Sequence, residues 1–358
     1  MDKFSKQDTN VVKGIAILML LCHHFFMGVL PAPIDWANNS IWQILATLSK
    51  VCVAIFVILS GYGLNESYKR WVESDFAFVK NHLFKLMKQF WFIFLIFVPL
   101  GFVCGASPID VYGRGLKGIC YALTDFLGMK SLLNTPTMNQ TWWYMEACIV
   151  LYILFPLLKK LLAKIPVIVF AVSVIPIIKF GLFNDGSIDG CREIYWIFPF
   201  AVGIFLSEKD FLNKISSSIN KHYLLGCSLS ITGVIVMTAV RSYFGIIADT
   251  VYAISIIVVS KAVFSRIKYI NSFMGYLGRH SANIFMMHSF IYCYYVPIKQ
   301  IFMVLHSGTA NFVLLALACI AVSDYIEVLK GRLANLCMKN EPINKEEKIS
   351  SKEPVLNK

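Results

Sequence analysis

The sequence predicts an all-α, polytopic membrane bundle of about ten transmembrane helices with both termini in the cytoplasm, and three observations carry that prediction. Of the 358 residues 57% are hydrophobic and only 15% charged, with a mean hydropathy of +0.65, far outside the range of a soluble globular chain. Apolar segments long enough to cross about 30 Å of hydrocarbon recur along nearly the whole length. Of the 33 Lys and Arg residues, 25 then fall on the cytoplasmic side, 7 fall on the other, and Lys50 lies within a span, as the positive-inside rule requires.

Taken in order, Met1 to Asn10 is a short polar tail leading into span one, 11–30. That span lacks a small-residue cleavage site, so it reads as a retained helix and not as a signal peptide. It carries Lys13 near its charged end and His23 and His24 deep inside. Span two, 42–63, contains Lys50 and has Ser60 and Gly61 near its inner end. Lys69 to Gln89 is a basic cytoplasmic stretch with His82, Lys85 and Lys88, running into span three, 86–106. The outer stretch Ser107 to Thr141 is long enough to cover a mouth. Within it, Gly115 to Met129 reads as an interfacial or re-entrant piece, because a full crossing there would invert every later loop and ruin the charge match.

Spans four and five, 142–162 and 165–182, are separated by three cations, and the outer loop Asn184 to Arg192 leads to span six, 193–207. Three more cations precede spans seven and eight, 221–240 and 247–264; four precede span nine, 277–299, and seven lie beyond span ten, 310–330. Residues 1–335 form one transmembrane domain, and 336–358, rich in Lys, Glu, Asn and Ser, reads as a disordered cytoplasmic tail.

The net charge of +12 is the sum of loops that orient the protein and touch anionic membrane lipid, so nucleic acid is not an expected partner. The ten cysteines are scattered, with no pair at CxxC spacing. They support neither a zinc site nor a disulfide framework and read mostly as small apolar fillers.

Ionisable groups inside a bilayer are costly and tend to face a protein interior or a wet cavity. Lys13 and His24 are eleven residues apart, which puts them on one helix face about 16 Å apart along the axis. A cation near the membrane surface and a deeper imidazole can therefore line one shaft.

Four local patterns accompany this pair: Lys13-Gly14-Ile15-Ala16 running on to His24; Ile55-Phe56-Val57-Ile58-Leu59-Ser60-Gly61-Tyr62-Gly63; Thr141-Trp142-Trp143-Tyr144-Met145-Glu146 followed by Tyr152 and Pro156; and Leu277-Gly278-Arg279-His280-Ser281 running to His288. In this order, over residues 8 to 330, the chain resembles the acyltransferase type 3 family of membrane-bound O-acyltransferases. The resemblance implies a multi-pass protein of the bacterial cytoplasmic membrane that moves an acetyl or other short acyl group from cytoplasmic acyl-CoA to hydroxyls of surface polysaccharides or related glycolipids. It implies acetyl-CoA as donor substrate, a carbohydrate or glycolipid acceptor, and no permanently bound cofactor or metal. The family's first span usually shows an arginine, ten intervening residues and a histidine, matched here by Lys13 and His24. Lysine keeps the cation without the bidentate grip. The family's two arginines three apart after span two are matched by His82 and Lys85. Where many members have a glutamate five residues after the motif tryptophan, here aligned on Trp143, this chain has Cys148, with Glu146 two residues earlier.

Acyl transfer from a thioester to a hydroxyl needs a base, donors for the developing oxyanion and positive charge for the CoA phosphates. An imidazole that stays uncharged in an apolar helix is available as that base near pH 7, and His24 fits the role, with Glu146 as a second candidate. Lys13, Lys85 and Lys88 can dock the nucleotide by charge. His24 can also be read as a helix-packing hydrogen bonder, and His23, which points about 100° away, as structural. His288 is either a packing residue or a substrate contact, and Glu146 either a solvated carboxylate or a functional one. Ser60 with Gly61 forms a small-residue helix contact or lines the CoA path. Lys50 and Lys179 snorkel, and Arg279 is a cytoplasmic anchor or a phosphate contact. Trp142, Trp143 and Tyr144 anchor an interface or stack on sugar. A transporter, with His, Lys and Asp324 along its path, is a different class of function, against which stands the lack of paired broken spans in two similar halves. An acyl conduit serving a separate enzyme is a third.

Overall fold

Helix α1 (Lys6–Phe26) begins where a capping box lets it begin: the Ser5 hydroxyl accepts from the Asp8 amide, and the Asp8 carboxylate accepts from the Ser5 amide, satisfying donors that the helix itself leaves open. The computed structural model describes residues 4–27, 40–183, 192–304 and 307–339. After α1 come α2 (Ser40–Ser49), α3 (Cys52–Tyr68), α4 (Asp75–Leu100), α5 (Pro108–Tyr112), α6 (Gly115–Phe126), α7 (Trp143–Lys164) and α8 (Pro166–Phe183). The second half comprises α9 (Ile197–Glu208), α10 (Phe211–Lys221), α11 (Tyr223–Phe244), α12 (Asp249–Ala262), α13 (Lys268–Ser289), α14 (Val296–Val304) and α15 (Gly308–Lys339). No strand occurs among the described residues, and the chain is an all-α membrane bundle.

Helix is present in each of the ten segments expected to span. Five helical runs, Lys6–Phe26, Ile41–Tyr68, Asp75–Leu100, Tyr223–Arg266 and Gly308–Leu336, are long and apolar enough to cross a membrane. Three boundaries differ from expectation. Span three starts eleven residues early, because Ser74 caps the amide of Ala77 and carries the basic stretch into the helix. Span two is broken at Lys50 and Val51, where the backbone bonds lengthen to 3.4–3.5 Å. Span nine starts at Lys268 and gives way after Ser289 to a π-helical turn, Phe290–Tyr294, and then to α14. Segment 115–129 yields only the twelve-residue α6, about 18 Å long and too short to cross. Residues 28–30 of span one, most of the loop 184–192 and residues 340–358 of the expected tail lie outside the described residues; α15 itself continues to Lys339.

Loops expected on the same side of the membrane meet one another. At the end that the charge bias assigns to the cytoplasm, Lys261 pairs with Asp8 at 2.8 Å, Lys160 with Asp75 at 2.6 Å, and Lys159 with Glu208 at 3.0 Å. Asn65 joins the last pair, donating to Ser207 and Glu208 and accepting from Lys159. At the opposite end the Val296 amide donates to the Cys104 carbonyl at 3.0 Å, and the Gln140 amide donates to the Tyr294 hydroxyl.

Between helices in lipid the hydrophobic effect gives little drive, so close backbone approach through small residues matters most. Two such seams organise the bundle. Along α1 and α13, a Cβ on Gly14 would overlap the Met274 carbonyl, and one on Gly278 would overlap the Asn10 carbonyl. Along α3 and α9, Gly61 meets the Phe200 carbonyl and Gly203 the Ile58 carbonyl in the same way. Near the start of the first seam the Gln7 amide donates to the Asn271 side chain at 2.7 Å. Ser60 and Gly61 thus divide the alternatives left open by the sequence: Gly61 makes the helix contact, and Ser60 faces the phenols of Tyr144 and Tyr152.

Gly278→Val is expected to cost about 2–3 kcal/mol or more, because the obstacle is backbone and cannot rotate away. Gly63→Ala, at a helix position with no neighbour within 4 Å, is expected to be neutral or slightly stabilising. Thermal unfolding of the two purified variants in one detergent checks the contrast; equal melting temperatures would show that the seam does not hold the bundle.

Candidate active site

The first seam has a chemical consequence at its far end. Helices α1 and α13 run in the same direction, with Gln7 beside Asn271 at one end and His24 beside His288 at the other. The His24 and His288 rings lie 5.1 Å apart between centroids. His288 is fully buried. Its Nδ1 lies 2.8 Å from the Phe285 carbonyl and 3.1 Å from that of Ile284. Carbonyl oxygens only accept, so Nδ1 carries the proton and Nε2 is left with a free lone pair. His24 is half-buried and is the less enclosed member of the pair.

His23 faces the other way and lies against His24 edge to face, its Nδ1 2.8 Å from the Ala46 carbonyl. It therefore ties α1 to the last turns of α2 and has the structural role expected for it.

A second set of contacts comes from the outer segment before α7. Ser289 Oγ lies 3.4 Å from His288 Nε2 and 3.4 Å from Thr141 Oγ1. Thr141 donates to the Asn139 side-chain oxygen at 2.9 Å. Asn139 Nδ2 and Trp142 Nε1 both donate to the Met286 carbonyl, at 3.2 and 2.9 Å. A continuous polar chain of buried groups thus runs from the imidazole to the outer segment. Asn139 and Ser289 escape a sequence reading because neither is ionisable, and Thr141 enters it only as the first residue of the tryptophan pattern. Their one visible signal is polarity flanking an aromatic cluster at the start of an apolar run.

The other predicted site residues are distributed as follows. Glu146 is buried, 4% exposed, and its two carboxylate oxygens accept from the Ser131 and Leu132 amides at 2.8 and 2.6 Å. It is not a solvated carboxylate; it pins the outer segment, and its described contacts do not include the histidine pair. Trp143 stacks on Trp196 at 5.9 Å, whereas its neighbour Trp142 is the tryptophan bonded to α13. Lys13 is half-buried and bonds to no anion among the described residues. Lys85 and Lys88 are exposed on α4. His82 has its Nδ1 on the Phe78 carbonyl and its Nε2 near Ser67 Oγ, which leaves it engaged in joining α3 and α4. Arg279 is exposed, 5.7 Å from the centre of the Tyr276 ring. The structure therefore brings His24 and His288 together, and it leaves Lys85, Lys88 and Arg279 as a looser set of charges on helices α4 and α13.

Beside Arg279, His280 is buried in a network absent from the sequence-based site. Its Nδ1 lies 2.9 Å from Ser323 Oγ. Asn283 donates to Ser323 and Glu327, and Lys330 bridges Glu327 and Gln89. The polar atoms named here are all partnered, and together they bolt α13 to α15 and α4.

A family model described as acyltransferase domain matches residues 7–328, nearly the whole chain. No curated protein and no solved structure matches the chain.

The segment before α7 also holds, among the described residues, a carboxyl outside the spans with a large titration shift. Asp125 is 1% exposed and accepts from Tyr112 at 2.6 Å, the Met138 amide at 2.8 Å and Thr137 at 2.9 Å. Burial outweighs these bonds and pushes its carboxyl up from 3.8 to about 6. Folding therefore takes up a proton between those values. The resulting stabilisation, on the order of 3 kcal/mol, is fully present below about pH 4 and lost as pH rises through 6. Asp125→Asn should abolish this component: from pH 6.5 down to 4.5 the melting temperature of the wild-type chain is expected to rise relative to that of the variant. Parallel pH profiles would refute the assignment.

Proposed function

We propose that this chain, which belongs to the acyltransferase-domain family, is an integral membrane O-acyltransferase that moves an acetyl group from cytoplasmic acetyl-CoA to a hydroxyl of a cell-surface polysaccharide or its lipid-linked precursor. The observation that carries the reading is the meeting of His24 and His288, two imidazoles from helices far apart in sequence. Polar groups at such a depth are retained where they do chemistry.

In the proposed reaction His24 removes the proton of the acceptor hydroxyl as its oxygen attacks the thioester carbonyl. The tetrahedral intermediate collapses by breaking the carbon–sulfur bond. The imidazolium then returns its proton to the departing thiolate, so ester and free CoA leave with no proton gained or lost. His288, buried behind His24 with its own tautomer fixed by backbone carbonyls, orients the base. Ser60, beside the hydroxyls of Tyr144 and Tyr152, lines the path of the pantetheine arm. Lys13, Lys85, Lys88 and Arg279 offer positive charge to the CoA phosphates, with His82 supporting the start of α4, and the stacked pair Trp143 and Trp196 offers an aromatic face to a sugar.

His24→Ala is expected to lower acetyl transfer by about 10²–10⁴-fold, the contribution of a positioned base, while insertion and melting temperature stay close to wild type. Transfer of label from acetyl-CoA to surface glycan in membrane preparations measures this, and normal turnover in the variant would remove His24 from the reaction. Lys13→Ala and Lys85→Ala should instead raise the KM for acetyl-CoA roughly threefold to tenfold at nearly constant kcat, a loss of about 0.7–1.4 kcal/mol of binding each. An unchanged KM in either variant excludes that residue from the donor site.

A further inference from the structure

The outer half of the bundle contains charge that the acyl-transfer chemistry does not use. Arg241, at the end of α11, and Asp249, at the start of α12, form an ion pair of 2.9 Å between Nε and Oδ1, with side chains only 6% and 5% exposed. A buried pair is costly unless its remaining hydrogen-bonding capacity is also satisfied. Here the arginine is held through Nε alone; among the described residues nothing bonds its two terminal nitrogens.

A second cation lies within Coulombic reach of the same aspartate. Lys50 sits at the break between α2 and α3, it is exposed, and no described residue bonds its ammonium. Irregular backbone at membrane depth is tolerated where it lines a cavity or is buried in protein, and broken spans commonly turn toward a bound ion or substrate. Lys50 and Arg241 both lie within Coulombic range of His23, whose ring touches that of His24. On its other side Asp249 shares a small cavity with Trp196, and Trp196 stacks on Trp143. Two cations against one anion, an arginine fork with donors to spare and an aromatic face therefore converge on the outer side of the proposed base. A lock between α11 and α12 would explain the ion pair alone. It would leave the unbonded arginine nitrogens, the exposed lysine and the broken helix without a role.

We propose that Lys50 and Arg241 form a binding site for an oxyanion, a carboxylate or a phosphate carried by the acceptor glycan next to the hydroxyl that is acylated. The acceptor class is then an acidic polysaccharide, with the planar guanidinium supplying the paired donors that such groups prefer. The inference rests on the acyltransferase reading for the identity of the acceptor, though not for the existence of the site.

The test is equilibrium binding to the full chain in zwitterionic nanodiscs, with three labelled probes: an oligogalacturonate, its carboxyl-reduced counterpart and an oligomer of glycerol phosphate. At least one anionic probe is expected to bind tenfold or more tightly than the neutral one. Lys50→Gln and Arg241→Lys, the second of which keeps a cation opposite Asp249, should each bring that preference to within about twofold of unity while acetyl-CoA binding and melting temperature are retained. Equal binding of all three probes, or full anion preference in both variants, overturns the proposal. If either variant loses its fold, raising ionic strength with the wild-type chain decides instead: selective loss of the anionic probe is the expected result, and a salt-insensitive preference overturns it. Nanodiscs containing phosphatidylglycerol address lipid as the source of the oxyanion, and abolition of probe binding by that lipid would reassign the site to a headgroup and overturn the acceptor assignment. The two readings fail separately: absence of acetyl transfer by the wild-type chain with anion preference intact defeats the catalytic reading and spares this one, whereas His24→Ala should lose transfer and still bind the probes as the wild type does.

Discussion

The meeting of His24 and His288 depends on how near α1 can come to α13. That approach is set where the side chain is missing on one helix and a carbonyl projects from the other, at Gly14 against Met274 and Gly278 against Asn10. Packing of this kind is the main attraction available between helices in hydrocarbon, and it acts over the last atoms of separation. Two helices held that close over the two turns from Gln7 to Gly14 have little freedom to splay in the roughly three turns that follow, at the end of which the imidazoles meet. The seam thus fixes the relative position of His24 and His288 more firmly than hydrogen bonds between the rings would.

The outer segment provides the second constraint. Glu146 and Asp125, both carboxyls, serve as acceptors for backbone amides of a stretch that has little regular structure of its own. Asn139 and Trp142 fasten that stretch to the Met286 carbonyl, two residues before His288. In a loop without a ladder of backbone bonds, buried side-chain acceptors must do the satisfying. The result is a roof whose position is coupled through Thr141 and Ser289 to the buried ring.

Much of this was legible in the chain. The apolar runs, the distribution of cations and the Lys13–His24 spacing define an all-α membrane bundle and point to the first span, since each is a property of one segment. Segment 115–129 is also readable, because charge decides against a crossing where hydropathy is ambiguous. What could not be read depends on partners. Glu146 looks solvated until the amides of Ser131 and Leu132 are placed over it. Trp142 and Trp143 are equivalent in sequence, and only the packing of α7 against α13 distinguishes them. The break at Lys50 leaves no proline or paired glycines to announce it, and the network around His280 joins residues more than forty positions apart.

The parallel course of α1 and α13 has a bearing on how the protein is made. Gln7 and its partner Asn271 are 264 residues apart, so at ordinary elongation rates of about 5–20 residues per second the ribosome works for roughly 13–50 s between delivering α1 and delivering α13. Throughout that interval the first helix lacks its contacts with α13, and no product truncated before α13 can bring His24 and His288 together. The pairing of the two imidazoles is therefore completed only late in translation, once α13 has joined the bundle.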